Sequence, residues 1–284
     1  MKRRRGFWLA ALLATAALVA AALVIWLLWA GETVPLNSLL PGLLRRDTTW
    51  QAMQARRIWR VGMDPSFPPF ESLDAAGVPQ GYDVDLARNL AAQWGMEVEV
   101  VSIGFDSLVD ALQAAKVDAI ASAYPYDARL TRDVSFSQPY FDSGLQLVVP
   151  AGSSIQDRSA LNGKRVGVEW GSEGDMVGRQ WQREGIDLTL VSYETPQDVV
   201  AALAEEDAGN RAVDAILVDS ITLRQAQAEG APLSAAGPYV TSNPYVIVVP
   251  RRASDLLQQI NRGLEQLQAN GNLNKLEQKW FDQP

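Results

Sequence analysis

The sequence predicts an α/β protein with a body of two similar lobes, each on a largely parallel sheet, joined by a two-strand hinge. Three observations carry that prediction. From residue 58 onward, short apolar runs alternate with amphipathic ones, the βαβ rhythm of a parallel sheet. Two phrases recur in the same order: Arg-Val-Gly-x-acid at Arg60–Asp64 and Arg165–Glu169, and Val-Asp-Ala-Ile at 117–120 and 213–216. Two strand-like segments end in Val-Val-Pro, at 148–150 and 248–250, where the chain is expected to cross between lobes.

The chain opens with "MKRRR" and then runs from Phe7 to Ala30, 24 residues without a charge and with Thr15 the one polar side chain. As a helix this run is about 36 Å long, against a hydrocarbon core of about 30 Å. Four cations at Lys2 to Arg5 keep that end in the cytoplasm and send the body outward. A cleaved signal has a shorter apolar region and small residues at its cleavage site, whereas Leu28 and Trp29 precede Ala30. The expectation is therefore a transmembrane anchor at 1–30, with a removed signal as the alternative. A linker at 31–57 follows, with Pro35, Pro41 and a short helix after Asp47. The first lobe is expected at 58–148 plus 246–284 and the second at 149–245.

In the first lobe "IWRVGM" reads as a strand and "DPSFPPFE" as a stiff loop, because its prolines oppose both helix and sheet pairing. "DVDLARNLAAQWG" reads as a helix with Asp83 as N-cap and Gly95 as stop. "MEVEVVSI" is a strand, "FDSLVDALQAAK" a helix and "VDAIASA" a strand. The second lobe repeats the order with "KRVGVEWGSEG", "DMVGRQWQREG", "DLTLVSY", "PQDVVAALAEED" and "AVDAILVDS". The C-terminal segment is helical, broken at Gly271, and packs back on the first lobe.

Composition removes several chemistries. Among 284 residues there is neither cysteine nor histidine. Disulfides, thiolate nucleophiles, imidazole bases and His/Cys metal cages are thereby excluded, and no cofactor or metal is expected. Residues 58–284 carry 17 Lys/Arg against 31 Asp/Glu, too acidic to neutralise nucleic-acid phosphates.

Ligands of open parallel sheets bind beyond the carboxyl ends of the strands. That rule selects Asp64 and Phe67 after the first strand, Ser122 to Arg129 after "VDAIA", Glu169 to Glu173 after "KRVGV", and Asp219 after "VDAILV". Each has an ordinary alternative. Asp64 and Asp219 are candidate caps, Phe67 a core residue, Ser122 a local backbone partner and Arg129 a surface charge. Together they offer one cation, several anions, hydroxyls and aromatic rings at corresponding loops of two lobes. "GSEG" at 171–174 opens a helix, whose free N–H groups favour an anion.

The phrases "RVGMDPSFPPFE", "GYDVDLARNLA", "VDAIASAYPYDARLTRDVSFSQPYF", "LNGKRVGVEWGSEGD", "VDAILVDS" and "INRGLEQLQANGNLNKLEQKW" span residues 58–282. In them the chain resembles the extracytoplasmic solute-binding proteins for polar amino acids, bacterial family 3 type, the substrate receptors of ABC importers. The resemblance implies a type II periplasmic-binding-protein-like fold, a monomer, an amino-acid ligand, an ABC permease as partner and no enzymatic activity. It assigns Arg129 to the ligand α-carboxylate, Asp219 to the α-ammonium and Phe67 to a lid on the side chain. Asp64, Phe105 and Glu169 fall at side-chain-pocket positions; Ser122, Ser172 and Glu173 lie on loops that hold the carboxylate. The stretch from Ser122 to the arginine is one residue short of the family's, which leaves Arg132 as an alternative clamp. Pro125 and Glu173 stand where relatives often carry hydroxyls. A dehydratase of prephenate-like or arogenate-like acids and an extracytoplasmic sensor are the rival readings.

Overall fold

A computed structural model describes residues 47–204 and 211–282. The expected membrane helix at 1–30 and the linker up to residue 46 lie outside them. Among the described residues no helix is long and apolar enough to cross a membrane. The short helix expected after Asp47 is Thr49–Arg56.

Strand β1 (Ile58–Met63) leads into a small antiparallel sheet of β2 (Ser66–Phe67), β3 (Glu71–Leu73) and β4 (Pro79–Gln80). Next come the helix Tyr82–Gln93, β5 (Glu97–Ser102), the helix Leu108–Gln113, β6 (Ala119–Ile120) and β7 (Val134–Phe136). After β8 (Phe141–Asp142) the chain enters a second sheet, of β9 (Leu145–Pro150), β10 (Lys164–Glu169), β11 (Leu188–Tyr193), β12 (Ala215–Asp219) and β13 (Leu233–Ala235). It leaves through β14 (Pro244–Tyr245), which pairs with β8, and returns to the first sheet as β15 (Val248–Pro250). Helices Ser254–Ala269 and Asn272–Phe281 follow, separated at Gly271 as expected.

The two large sheets have the same plan, β5-β1-β6-β15-β7 and β11-β10-β12-β9-β13. In each, the first three strands are parallel and the last two join antiparallel. The period of two along each strand sends alternate side chains to opposite faces. Val61, Met63, Ala119 and Val249 meet Leu90 and Ile260 on one face of the first sheet, while Ile120, Val134 and Val248 meet Leu108 and Leu112 on the other. In the second sheet Leu145, Leu147, Val149 and Leu217 take one face and Val148, Ile216 and Val218 the other. Sheets covered on both faces explain the continuous apolar runs in the sequence.

The recurring phrases are two halves of one contact, made once per sheet. Arg60 N–H donates to Asp118 Oδ2 at 2.9 Å, and Asp118 N–H donates back to the Arg60 carbonyl at 2.9 Å. Arg165 and Asp214 repeat the exchange at 2.8 Å in both directions. The glycine two residues on leaves room for a packed aliphatic side chain: a Cβ on Gly62 would lie 3.2 Å from Leu108, and one on Gly167 would lie 3.1 Å from Ile216. Each phrase thus sets the parallel register of its central strand against the next one, Val61 opposite Ala119 and Val166 opposite Ala215.

Three expectations are corrected. The Val-Val-Pro segments do not cross between sheets: Val148–Pro150 ends β9 inside the second sheet and Val248–Pro250 is β15 of the first. The chain changes sheets at 142–144 and 241–244, so the boundary expected at 148/149 falls inside a strand of the second sheet. Asp142 knots the crossing, accepting from Gly144 N–H at 2.8 Å, Asn243 N–H at 2.9 Å and Ser242 Oγ at 2.7 Å. The third correction is Asp83, which does not cap its helix. The helix begins one residue earlier, and its N-cap is Gly81 at φ 137°. A Cβ on Gly81 would sit 2.1 Å from the Phe70 carbonyl oxygen, so a side chain there is excluded.

Asp118 also receives Arg56 and the Arg60 guanidinium, and it is 3% exposed. Asp214 pairs with Arg165 at 3.6 Å and is about a third exposed. Asp118→Ala is therefore expected to destabilise the fold by about 2–4 kcal/mol and Asp214→Ala by about 1 kcal/mol. Urea denaturation of the two variants checks the ranking; equal losses would contradict it.

Candidate functional site

Two cavities meet where the chain crosses between the sheets. One, of about 310 Å³, is walled by loops of the first sheet and includes Asp64, Phe67, Glu71, Phe105 and Ser122. The other, of about 410 Å³, opens on the second sheet and includes Phe67, Glu169, Ser172, Glu173, Asp219 and Thr222. Phe67, Asn243 and Tyr245 line both. Eight of the nine residues selected from the sequence therefore face this region, because the loops holding them leave the same ends of matching strands.

Arg129 is not among them. Its side chain is 89% exposed and pairs with Asp127 at 2.8 Å, the ordinary surface charge that its neighbours in sequence suggested. Arg132 lines neither cavity either. Among the described residues, no lysine or arginine lines either space.

The first-sheet wall is a chain of hydrogen bonds. Phe105 N–H donates to Asp64 Oδ2 at 2.8 Å, Asp64 N–H to Ser122 Oγ at 2.9 Å, and Ser122 Oγ–H to Glu71 Oε1 at 2.7 Å. The Ser122 hydrogen is thus committed inward, and the serine shapes the wall instead of reaching into the cavity. Phe67 stacks on Phe70 with centroids 5.6 Å apart, and Phe105 stacks on Tyr124 at 5.2 Å. Phe67 is 46% exposed and Phe70 is fully buried, packed edge-on against Tyr82, Phe141, Tyr245 and Phe281. The stiff proline loop therefore turns one ring outward and anchors the other.

On the second-sheet wall Asp219 caps the helix Ser220–Ala228. Its Oδ1 accepts from the N–H groups of Ile221 and Thr222, both at 2.9 Å, and its Oδ2 from Thr222 Oγ1 at 2.9 Å. Capping fixes its carboxylate in place and leaves acceptor capacity toward the cavity. Ser172 caps the helix Glu173–Arg183, accepting from Asp175 N–H at 3.2 Å, so its own hydroxyl hydrogen remains available. The first-turn N–H groups of that helix are left over by its geometry. The side chains of Glu169 and Glu173 make no hydrogen bond or ion pair among the described residues.

Glu71, Asn243 and Tyr245 were not anticipated. Asn243 and Tyr245 belong to a segment that reads as a strand, and its role in the crossing depends on a partner about 100 residues away. Glu71 follows an apolar ring in a short strand, with no local pattern to mark it.

Residues 59–283 match the family described as bacterial extracellular solute-binding proteins, family 3. The chain belongs to that family. It is 30% identical to a histidine-binding periplasmic protein of Salmonella typhimurium, over 78% of this chain and 87% of that one. It is 29% identical to a lysine/arginine/ornithine-binding periplasmic protein of Escherichia coli K12, over 86% and 95%. The fold matches the unliganded open L-cystine solute receptor of Neisseria gonorrhoeae with a TM-score of 0.72 at 20% identity, covering 84% of this chain and 98% of that one.

For a family 3 solute-binding protein the balance of charge around the cavities is one-sided. Asp64 faces one space and Glu169, Glu173 and Asp219 the other. Aromatic faces supply flat apolar walls and further attraction for a cation. Phe67→Ala is expected to change folding stability by under about 1 kcal/mol and Phe70→Ala to cost about 3–5 kcal/mol. Thermal denaturation of both variants tests this; a comparable loss for Phe67 would make it a core residue.

Proposed function

We propose that this family 3 protein is an extracytoplasmic receptor that closes two lobes around a cationic amino acid and presents it to an ABC importer. The observation that carries the reading is the pair of facing acidic, aromatic-walled cavities at the crossing. In this reading the α-carboxylate rests on the N-terminus of the helix Glu173–Arg183, with the Ser172 hydroxyl and first-turn N–H groups as donors. The α-ammonium meets Asp219, and the side-chain cation meets Asp64 and Glu169 between the rings of Phe67 and Phe105. Glu173 contributes its backbone N–H at that helix end, while its carboxylate must turn away from the bound α-carboxylate, which it repels. The names of the two curated relatives, receptors for histidine and for lysine, arginine and ornithine, support a cationic solute.

The lobes are 58–142 with 245–284 and 145–240, bounded by the crossings at 142–144 and 241–244. Closure takes water from the charged contacts and strengthens them. It is a population shift, since the solute touches both walls only when they are together. The protein works as a monomer held to the membrane by its N-terminal segment, and it does not turn over its ligand. Unchanged solute recovered after prolonged incubation separates this from the dehydratase reading.

A thermal-shift screen over the common amino acids tests the solute class, because ligand binding raises stability by mass action. L-arginine, L-lysine, L-ornithine and L-histidine are expected to give the largest rises; the largest rise with L-glutamate would contradict the reading. By calorimetry with the best of these, Asp219→Asn is expected to weaken binding by about 2–5 kcal/mol, roughly 30-fold to several-thousand-fold. Arg129→Ala should change it less than about fivefold, as for a solvated surface charge. A severe loss in Arg129→Ala would instead move the carboxylate to that arginine.

A further inference from the structure

At the back of the first-sheet wall lie two almost fully buried carboxyl groups to which the proposed ligand contacts assign no role. Glu71, on β3, is 1% exposed, and Asp83, in the first turn of the helix Tyr82–Gln93, is fully buried. Consecutive residues, Ser122 and Ala123, hold one of these carboxyl groups each, and each carboxyl acts on the protonation of the other. Glu71 Oε1 accepts from Ser122 Oγ; Asp83 Oδ2 accepts from Tyr140 OH at 3.0 Å and from Ala123 N–H. Glu71 Oε2 and Asp83 Oδ1 are buried without a hydrogen-bond partner. An ionised carboxylate is only an acceptor, so a proton placed between two such neighbouring groups satisfies both.

The surroundings favour keeping that proton. Asp64 faces Glu71 from the loop after β1, Tyr140 faces the pair from the segment before β8, and Tyr245 faces it from β14. Tyr82 lies beside Asp83, with Glu277 and Arg224 acting on that tyrosine from beyond it. Among the described residues no lysine or arginine hydrogen-bonds to either carboxyl. What the pair holds is the cavity wall. Ser122 passes its hold to Asp64 and Phe105, and Asp83 takes the N–H of Ala123, which lines the cavity at φ 41°, a left-handed conformation unusual for alanine.

We propose that Glu71 and Asp83 share a single proton, and that this protonated pair positions Ser122, Asp64 and Ala123 in the shape of the ligand wall. Burial, and next the charge of Asp83, push Glu71 up to about 10. Burial raises Asp83 to about 6, held back by the Ala123 N–H. A folded-state value above the unfolded one means stability that is full below the ordinary carboxyl range and is lost as pH rises toward the folded value. The wall should therefore loosen toward alkaline pH, and Glu71→Gln, a neutral mimic of the protonated acid, should remove that dependence.

The test uses the full chain as wild type, Glu71→Gln and Glu71→Ala. The infrared difference between wild type and Glu71→Gln at neutral pH should contain the C=O stretch of a protonated carboxylic acid; its absence overturns the shared proton. Hydrogen exchange of the Asp64, Phe105 and Ala123 amides at one pH should quicken by more than about tenfold in Glu71→Ala and stay within about threefold in Glu71→Gln. Unchanged exchange in Glu71→Ala, or equal quickening in both variants, overturns the positioning role. Calorimetry with L-arginine rests on the proposed function and should rank the variants in the same order. Wild type that ignores L-arginine sinks that function, while the infrared and exchange results still decide the pair.

Discussion

The arrangement rests on one contact made twice: the aspartate of Val-Asp-Ala-Ile against the strand start at Arg-Val-Gly. Parallel strands have no hairpin to fix their register, so something at their beginning must do it. Here a backbone pair and a carboxylate do so, beside a glycine that leaves room for Leu108 in one sheet and Ile216 in the other. Once Val61 is opposite Ala119, the far ends of β1 and β6 put Asp64 and Ser122 side by side. The same contact in the second sheet brings Glu169 and Asp219 to one cavity. The site is a downstream consequence of register.

This is also why so much was legible from residues alone. Repeated phrases and periodicity revealed two like sheets, the rule that ligands sit beyond strand carboxyl ends then selected seven residues that line the cavities, and the family resemblance added an eighth, Phe105. The failures have a common cause. Asp83 looks like a helix cap because acids before apolar faces usually are, and only the Phe70 carbonyl closing on Gly81 shows that the helix starts earlier. Val-Val-Pro looks like a crossing because of its symmetry, but the apolar faces of Val148 and Val248 are both needed inside sheets. Arg129 has an acid two residues before it, and that local pair decided its direction. Each miss depends on a contact distant in sequence or on a competition between neighbours.

The two walls are held by different means. The second is built from helix ends, where Asp219 and Ser172 are fixed by capping. The first is built from loops, and its rigidity comes from a buried polar chain running from Phe105 through Asp64 and Ser122 to Glu71 and Asp83. Buried polar chains are costly unless every member is satisfied, which places weight on the proton between the two carboxyls. Asp142 binds both crossing segments, and Ile221 and Arg224 of the second-sheet helix Ser220–Ala228 reach the first core and Glu277, so the walls share a joint and a small packed seam.

The central claim is that a cationic amino acid draws the two walls together. The chain has no cysteine, so Asp106→Cys and Met176→Cys, both exposed and one on each wall, give a uniquely labelled pair. Spin-label distance measurement on this variant, with and without saturating L-arginine, reads the separation directly. A shorter and narrower distance distribution with L-arginine is the predicted result. A distribution unchanged under saturating ligand, with binding verified in the same sample, would contradict the account.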